Sequence, residues 1–275
     1  MSIAFPFAYA AAAGIFAGSQ ISRIATLGNN LSVDTATQPE DVWAGADLGT
    51  LNSIDHKYIP KPTAAVAMEV VSSSANDTAA GTGARTLSIT YLTGDYTQKT
   101  TVIALNGTTP VAMPENVLRI NSAVVATAGA ATNQGTANAG NISIRAAGGL
   151  GATYSYMQAG TSIARSSMFT VPAGFQFDIL SMYTSINRTD TNVRFGSFTL
   201  CIANSAGRLI KGLEFSCGSE SPYRHEADGA PVNTIAATGD VWLRCESVNL
   251  SSTNVTGSIF GILRPSDGLD EYTRP

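Results

Sequence analysis

The chain has 275 residues, of which 13% are charged and 44% are hydrophobic, and its formal net charge at pH 7 is -4. Disorder requires low hydrophobicity and high net charge, so this composition indicates a globular protein with a substantial core. The acidic balance and the lack of a Lys/Arg cluster exclude an electrostatic footprint for nucleic acid. The low charged share is typical of a neutral surface that packs against other subunits.

The first twenty residues are rich in alanine and large apolar side chains. They lack a basic n-region, Pro6 interrupts them and the apolar stretch is too short for a bilayer, so we expect neither a cleaved signal nor membrane insertion. Residues 1–62 hold few strand signals, and we interpret them as an N-terminal arm and linker that docks the protein. A short helix over residues 8–16 is an alternative for part of the arm. The predicted anchoring side chains are Phe5, Phe7, Phe16 and Trp43.

From about residue 64 the pattern changes to short runs in which apolar and polar residues alternate. Residues 65–72 predict a strand, and residues 86–105 predict a hairpin around a Gly/Asp-containing turn at 93–96. Two more strands are expected at 117–126 and 141–146, separated by a long Gly/Ala/Thr/Asn-rich loop at 128–140.

The second half follows the same pattern. The stretch from Ser166 to Asn187 predicts a strand, a turn at Pro172-Ala173-Gly174 and a second strand, which we interpret as a hairpin. A long loop is expected at 218–238, where the sequence has no clear strand signal. Further strands are expected in the remaining alternating runs, at 193–203, 209–216, 240–248 and 254–263.

About ten or eleven strands with short turns and almost no helical periodicity predict an all-β fold, a Greek-key or jelly-roll sandwich. We divide the chain into the arm and linker (1–62), a first β module (63–150) and a C-terminal jelly-roll-like module (151–275). Cys201, Cys217 and Cys245 form neither a closed disulfide framework nor a zinc motif, so we expect buried reduced thiols, as in a reducing cytoplasm.

The sequence contains few candidates for chemistry. Tyr223, Arg224, His225 and Glu226, followed by Asp228, form the one stretch that combines potential metal ligands with a potential acid/base pair. A solvated polar turn is the simpler interpretation, and we retain residues 223–226 only as a possible receptor-contact loop.

Acids for glycoside hydrolysis are isolated in predicted strands, as at Asp178, Glu214 and Glu246. His56 is expected to be exposed. We therefore predict no catalytic residues, no metal site, no cofactor and no enzymatic activity. Weak sugar binding stays open through tyrosines that we expect in exposed loops, with packing at a subunit interface as the alternative: Tyr154, Tyr156 and Tyr223.

Several segments resemble a module of tailed-bacteriophage virion structural proteins. They are the run from Val66 to Arg85, the hairpin that ends at Leu105–Thr109, Asn121–Val125 and the Pro-Glu-Asp-Val-Trp element at Pro39–Trp43. FTVPAG at 169–174 and VTGSIFGIL at 255–263 are similar to phage fibre or appendage proteins. The resemblance covers roughly residues 38–263, implies fibre, decoration or neck-attached proteins, and supplies no catalytic residues.

The favoured hypothesis is a non-enzymatic virion protein, anchored by its arm as a short fibre or appendage at the neck or tail and assembled in the host bacterial cytoplasm. Expected partners are portal, adaptor, neck or major capsid proteins, and two further copies in a homotrimer. The alternatives are a capsid decoration (cement) protein, a host-glycan-binding module that uses loops 128–140 and 218–238, and a hydrolase with acids in the second loop.

Overall fold

The computed structural model describes residues 21–129, 137–187, 191–204, 207–228 and 230–266. Three of the predicted anchoring residues, Phe5, Phe7 and Phe16, lie outside the described residues, as does most of the loop predicted at 128–140.

The described residues form twenty strands and one 3-10 helix, Ala44–Leu48, so the all-β prediction is confirmed. The strands of the first half are β1 Ser22–Ala25, β2 Gly28–Val33, β3 Glu40–Asp41, β4 Thr50–Leu51, β5 Ile54–Asp55, β6 Met68–Ser72, β7 Ala84–Leu92, β8 Gln98–Ala104, β9 Val111–Ala112, β10 Arg119–Ala128, β11 Ile142–Ala146 and β12 Thr153–Met157. Those of the second half are β13 Phe169–Thr170, β14 Phe175–Asn187, β15 Phe195–Ala203, β16 Leu209–Gly218, β17 Tyr223–Glu226, β18 Asn233–Ile235, β19 Asp240–Val248 and β20 Thr253–Pro265. No helix in these ranges is long and apolar enough to cross a membrane.

Strands β6 to β12 form the first sandwich. One sheet has the order β10-β7-β8 and the other has the order β12-β11-β6-β9, with all neighbours antiparallel. The apolar positions of the alternating runs face inward, so Leu87 and Ile89 of β7 meet Val70, Ile142 and Ile144 in one buried cluster. The predicted hairpin at 86–105 is confirmed as β7 and β8.

The second sandwich contains the long strands of the C-terminal half. In one sheet, β14 and β20 pair along their length, with β17 and β18 beyond β14. The other sheet has the order β13-β19-β15-β16. Their inward side chains share a core that includes Phe177, Ile179, Phe198, Leu243 and Ile259, all nearly inaccessible to solvent.

The Pro172-Ala173-Gly174 turn is present, with Gly174 at φ +77, but it does not close a hairpin. Strand β13 pairs with β19, whereas β14 pairs with β20, so the turn carries the chain from one sheet of the sandwich to the other. The hairpin prediction for this stretch was therefore wrong: alternation identifies strands but does not identify their partners.

Much of the segment predicted as an arm and linker is part of the second sandwich. Strands β1 and β2 both pair with β20, and β3 pairs with β19. Strands β1–β3 thus add to both sheets of the second sandwich, next to strands that lie about 200 residues or more later in the sequence, whereas β4 and β5 pair only with each other. Their short lengths and polar composition explain why they give little strand signal.

A third buried cluster joins the two sandwiches. It contains Trp43 and Ile59 from the N-terminal segment, Tyr156 from the first sandwich, and Cys201 and Trp242 from the second. Because β15 and β19 alternate, Cys201 and Trp242 project away from the core of their own sandwich. The outer face of this sheet is thereby covered around Cys201 and Trp242, and the two sandwiches pack as one body.

Candidate functional site

The predicted receptor-contact residues 223–226 form strand β17 and not a loop. They pair antiparallel with β14, so that Tyr223 lies opposite Thr184 and Glu226 lies opposite Ser181. The loop predicted at 218–238 contains both β17 and β18, so the prediction that this segment has no strand was wrong. These strands are only four and three residues long, too short for alternation to reveal them.

Alternation along β17 separates the candidate chemical groups. Tyr223 and His225 are half-buried on one face, and Arg224 and Glu226 are exposed on the other, where they form an ion pair. His225 and Glu226 therefore project to opposite faces and cannot act as a concerted acid/base pair.

The half-buried face of β17 continues a row of stacked rings. The ring centroids of Phe198 and Phe215 are 5.8 Å apart, those of Phe215 and Tyr223 are 4.1 Å apart, and those of Tyr223 and His225 are 6.3 Å apart. Burial raises the pKa of Tyr223. The row runs from the core to the sheet edge, so Tyr223 and His225 contribute packing between the two sheets.

Trp43 is 1% exposed and lies in the cluster that joins the sandwiches. Its indole Nε1 donates to the His56 carbonyl at 3.0 Å, and Gly45 lies so close that a Cβ there would be 2.2 Å from the ring. The predicted role of Trp43 as an anchor for another virion protein requires an exposed ring. The structure instead gives it a packing role within its own chain.

His56 is fully buried, contrary to the prediction that it would be exposed. Its Nε2 accepts from the Thr153 N–H at 3.0 Å, so its proton is on Nδ1, which donates to the Ile54 carbonyl at 3.0 Å. Both ring nitrogens are thus used to hold the N-terminal segment against β12, and the imidazole has no nitrogen left for a ligand.

Asp41 is the centre of a buried polar network that the sequence did not predict. Its carboxylate accepts from the Ile59 N–H, the Trp242 indole N–H and the Arg244 guanidinium, each at 2.9 Å. The Arg244 guanidinium also lies over the ring of Tyr58, at 4.9 Å. The sequence signal available for this network was the Pro39–Trp43 motif. It places Asp41 directly before the apolar residues Val42 and Trp43, and an acid that is buried with such residues needs polar partners.

Arg119 and Asp240 form a second buried link, between β10 of the first sandwich and β19 of the second. Asp240 also accepts from the Thr170 hydroxyl at 2.6 Å. Next to it, the Asn121 amide donates to the Thr170 carbonyl and its oxygen accepts from the Thr170 N–H. These contacts fix the orientation of one sandwich on the other.

Lys61 lies between these two networks. Burial lowers the pKa of its ammonium group, although Asp41 and Asp240 act in the opposite direction. The ammonium nitrogen lies 3.2 Å from the centroid of the Trp242 ring. This geometry is a desolvated cation–π contact, which stabilises the charged form that burial disfavours.

Asp178, one of the carboxylates considered for glycoside hydrolysis, is bound within its own sheet. Asp178 receives the Arg264 guanidinium at 2.6 Å and the Thr234 hydroxyl at 2.7 Å, both within its own sheet. Of the tyrosines expected in exposed loops, Tyr154 and Tyr156 lie in β12, and Tyr156 is buried in the cluster that joins the sandwiches. That expectation was wrong for both residues.

One depression of about 530 Å³ lies beside the N-terminal segment, and its walls contain the carboxylates of Asp34, Glu40, Asp47 and Asp55. Glu40 accepts from the Asn30 amide at 2.8 Å and from the Thr37 hydroxyl. Desolvation raises the pKa of Asp47 to about 6. In the described ranges no group of three or more His, Cys, Asp or Glu side chains is arranged to hold a metal ion.

Comparisons with known proteins give no family assignment. No protein-family model matches the chain, and no curated protein matches it. Among solved structures, T=1 particles derived from infectious bursal virus match at 9% identity and a TM-score of 0.15, covering 92% of this chain and 80% of that one. The Gt strain of infectious bursal disease virus matches at 11% identity and a TM-score of 0.12, covering 92% and 83%. At these scores the function has to be argued from the residues themselves.

Proposed function

We propose that this chain is a non-enzymatic structural component of a virus particle, specifically a fibre or appendage protein at the neck or tail of a tailed phage. The supporting observation is that its buried charged side chains join two β-sandwiches into one body. Arg119 of the first sandwich and Asp240 of the second form a buried ion pair across the junction, and Asp41 binds Trp242, which lies in the cluster that joins the sandwiches. A rigid body of this kind suits a protein that transmits force or holds a position in an assembly.

Catalysis would need histidine and carboxylate side chains, and here these side chains form hydrogen bonds within the fold. The two nitrogens of His56 and the carboxylates of Asp41 and Asp178 have protein partners at 2.6–3.0 Å. A catalytic acid or base must reach its substrate, and these side chains are buried and already hydrogen-bonded to protein groups. This supports the non-enzymatic role over the hydrolase alternative.

In this proposal the partners are other virion proteins and two further copies of the chain. Strands β8 and β16 each pair on one side only among the described strands, and edges of that kind accept a strand from a neighbour. Exposed apolar side chains lie along both, with Val102 on β8 and Leu209 and Ile210 on β16. A decoration protein on the capsid would use the same features, and it is the second candidate.

The assembly experiment requires a truncation that leaves the second sandwich intact. Because strands β1–β3 pair with β19 and β20, we would remove residues 1–20 and not 1–62. Light scattering is used to measure the mass of both proteins. For the full chain we expect a mass of three times 28.5 kDa. A trimer without residues 1–20 means that the β region assembles and the arm docks. A trimer only with residues 1–20 means that the arm assembles the copies, as expected for decoration. A monomer in both cases contradicts the trimer.

The virion role is tested directly on particles. An antibody raised against the full chain, with a gold label, is applied to purified particles of the virus that encodes the chain and viewed by electron microscopy. Gold at the neck or tail is expected. Gold over the head would favour the decoration role, and unlabelled particles would overturn the proposal.

A further inference from the structure

The outer face of the sheet β13-β19-β15-β16 carries a row of three serines near one end. Ser197 of β15 lies opposite Ser247 of β19 on one side and opposite Ser216 of β16 on the other. The Ser197 and Ser247 hydroxyls hydrogen-bond to each other at 2.6 Å. Among the described residues the Ser216 hydroxyl, which is exposed, has no protein partner. The row offers hydroxyl donors and acceptors at a fixed spacing on a rigid surface.

Phe195 lies two residues before Ser197 on the same face and forms an aromatic platform. It pairs with Gly218 across the ladder, and a Cβ at Gly218 would be 3.0 and 3.1 Å from two carbons of the ring. The ring therefore rests on the backbone of residue 218, where any side chain would displace it. It is nevertheless 57% exposed, so much of the ring surface faces solvent.

Asn249 holds the backbone of this platform in place. Its side-chain oxygen accepts from the Phe195 N–H at 2.8 Å, and its amide donates to the Val193 carbonyl at 3.2 Å. The Asn249 N–H in turn donates to the Phe195 carbonyl at 3.1 Å. The ring is thus presented by a fixed backbone, which lowers the entropy that binding would otherwise cost.

Phe195, the serine row and Ser221 line a depression of about 500 Å³, within the size range of small-molecule sites. Every residue that lines it is uncharged. We propose that this shelf binds a neutral hexopyranose, with the C–H face of the sugar ring on Phe195 and the sugar hydroxyls on the serine row.

The chemistry of the two parts matches the two faces of a sugar. A pyranose presents C–H groups on its flat side, which pack on an aromatic ring, and hydroxyls at its rim, which exchange hydrogen bonds with serine hydroxyls. Successive outward positions on a strand are about 7 Å apart, so the ring and the serine row are within reach of one sugar unit. None of the residues that line the depression carries a positive charge, so none of them can pair with the carboxylate of an acidic sugar.

A second copy of the chain is the competing occupant. A stable protein interface buries about 800 Å² per partner and has an apolar centre. Among the lining residues only Phe195 is a large exposed hydrophobic side chain, and the others are mostly serine, glycine and asparagine, so the apolar area is small for such an interface. The hydroxyl-rich lining favours the sugar. The proposed site does not include the residues of β17, and the proposal does not depend on the virion role.

The test uses the full-length chain and saturation-transfer NMR with the methyl glycosides of glucose, galactose, mannose and N-acetylglucosamine, with N-acetylneuraminic acid as the acidic probe. We expect transfer to the ring protons of at least one neutral glycoside and none to the acidic probe. Phe195→Ala is expected to weaken binding about tenfold or more, and Phe195→Trp to retain it. Val102→Ala, at an exposed position of β8, is the control and should bind as the unmodified chain does.

Three results would overturn the proposal. They are no transfer to any neutral glycoside, transfer that Phe195→Ala leaves unchanged, and a change of mass in light scattering for Phe195→Ala without sugar binding by the unmodified chain. The last result would assign the shelf to a contact between copies. Circular dichroism of each variant verifies the fold. Ser216→Ala is a second test of the serine row, because its hydroxyl is exposed and unpaired within the described structure.

Discussion

Arg119 and Asp240 lie 121 positions apart in the sequence and form an ion pair of 3.1 Å across the junction of the two sandwiches, with side chains 11% and 8% exposed. Removing one partner of a buried pair leaves the other charge uncompensated. We therefore expect Asp240→Ala, which also removes the acceptor of the Thr170 hydroxyl, to lower the free energy of unfolding by about 3–5 kcal/mol.

Urea denaturation measures this loss. The matched control is Glu226→Ala, which breaks the Arg224–Glu226 ion pair at the exposed face of β17 and should cost less than about 1 kcal/mol. Equal losses for the two variants would show that the junction pair contributes no more than a surface pair.

Trp43→Ala tests the packing role of Trp43 against the anchoring role predicted from the sequence. The substitution removes a fully buried ring and its hydrogen bond to His56, so we expect a loss of about 3–5 kcal/mol in the free energy of unfolding. The chain has two tryptophans, and Trp242 is buried as well, so the native fluorescence should be blue-shifted. A red-shifted native spectrum, together with unchanged stability of the variant, would instead support the anchoring role of Trp43.

Strand positions were predictable wherever alternation extends over five or more residues. Asp240–Val248 was predicted with its observed bounds, and the hairpin of β7 and β8 follows from its turn. Partner strands were not predictable, because the pairing of β1 and β2 with β20 depends on contacts between opposite ends of the chain.

The candidate site was harder to predict than the fold. A sequence shows that His225 and Glu226 are adjacent, but only knowledge that they lie on a strand shows that they face opposite ways. The Phe195 shelf gave no signal, because its serines come from three strands and meet through register alone. The buried state of Asp41 is set by Trp242 and Arg244, about 200 residues away.

Asp77 provides a prediction for the first sandwich. This fully buried carboxylate accepts from the N–H groups of Ala84, Ala139 and Gly140 at 2.7–2.8 Å and from the Ser72 hydroxyl at 2.6 Å. Asp77→Ala leaves three N–H groups without an acceptor, two of them buried, and a loss of about 3 kcal/mol or more is expected.

Limited proteolysis should locate the effect of Asp77→Ala in the segments near residues 77–84 and 137–140. Asp95→Ala is the control, because Asp95 organises an exposed hairpin turn through Thr93 and Thr97. Cleavage confined to the second sandwich would contradict the assignment of Asp77 to these segments.

The three thiols are expected to be unreactive in the native protein. Cys201, Cys217 and Cys245 are all buried and free, and burial raises the pKa of Cys201 to about 12 and raises the pKa values of the other two. Because the thiolate is the reactive form, a disulfide reagent at pH 8 should label none of them rapidly, and all three after denaturation. Fast labelling of one thiol in the native state would mean that the region around it opens.

Asp47 should make stability depend on pH in a window set by its raised pKa. Desolvation moves the pKa from its ordinary value of 3.8 to about 6, so between these values the native state binds more protons than the unfolded state. The free energy of unfolding therefore falls as the pH rises from about 4 to 6. Because the side chain keeps contact with solvent, the fall is limited to about 1 kcal/mol.

Asp47→Asn removes this carboxyl and should flatten the profile over that window while keeping the contact with Gln158, whose amide donates to Asp47 at 2.9 Å. Asp34→Asn is the control of opposite sign. Hydrogen bonds from Ala36 and Ser251 lower the pKa of Asp34, so its contribution is present above pH 3.8 and is lost as the pH falls below that value. Urea denaturation at pH 3, 4.5, 5.5 and 7 separates the two variants. A slope that Asp47→Asn leaves unchanged would mean that another group titrates there.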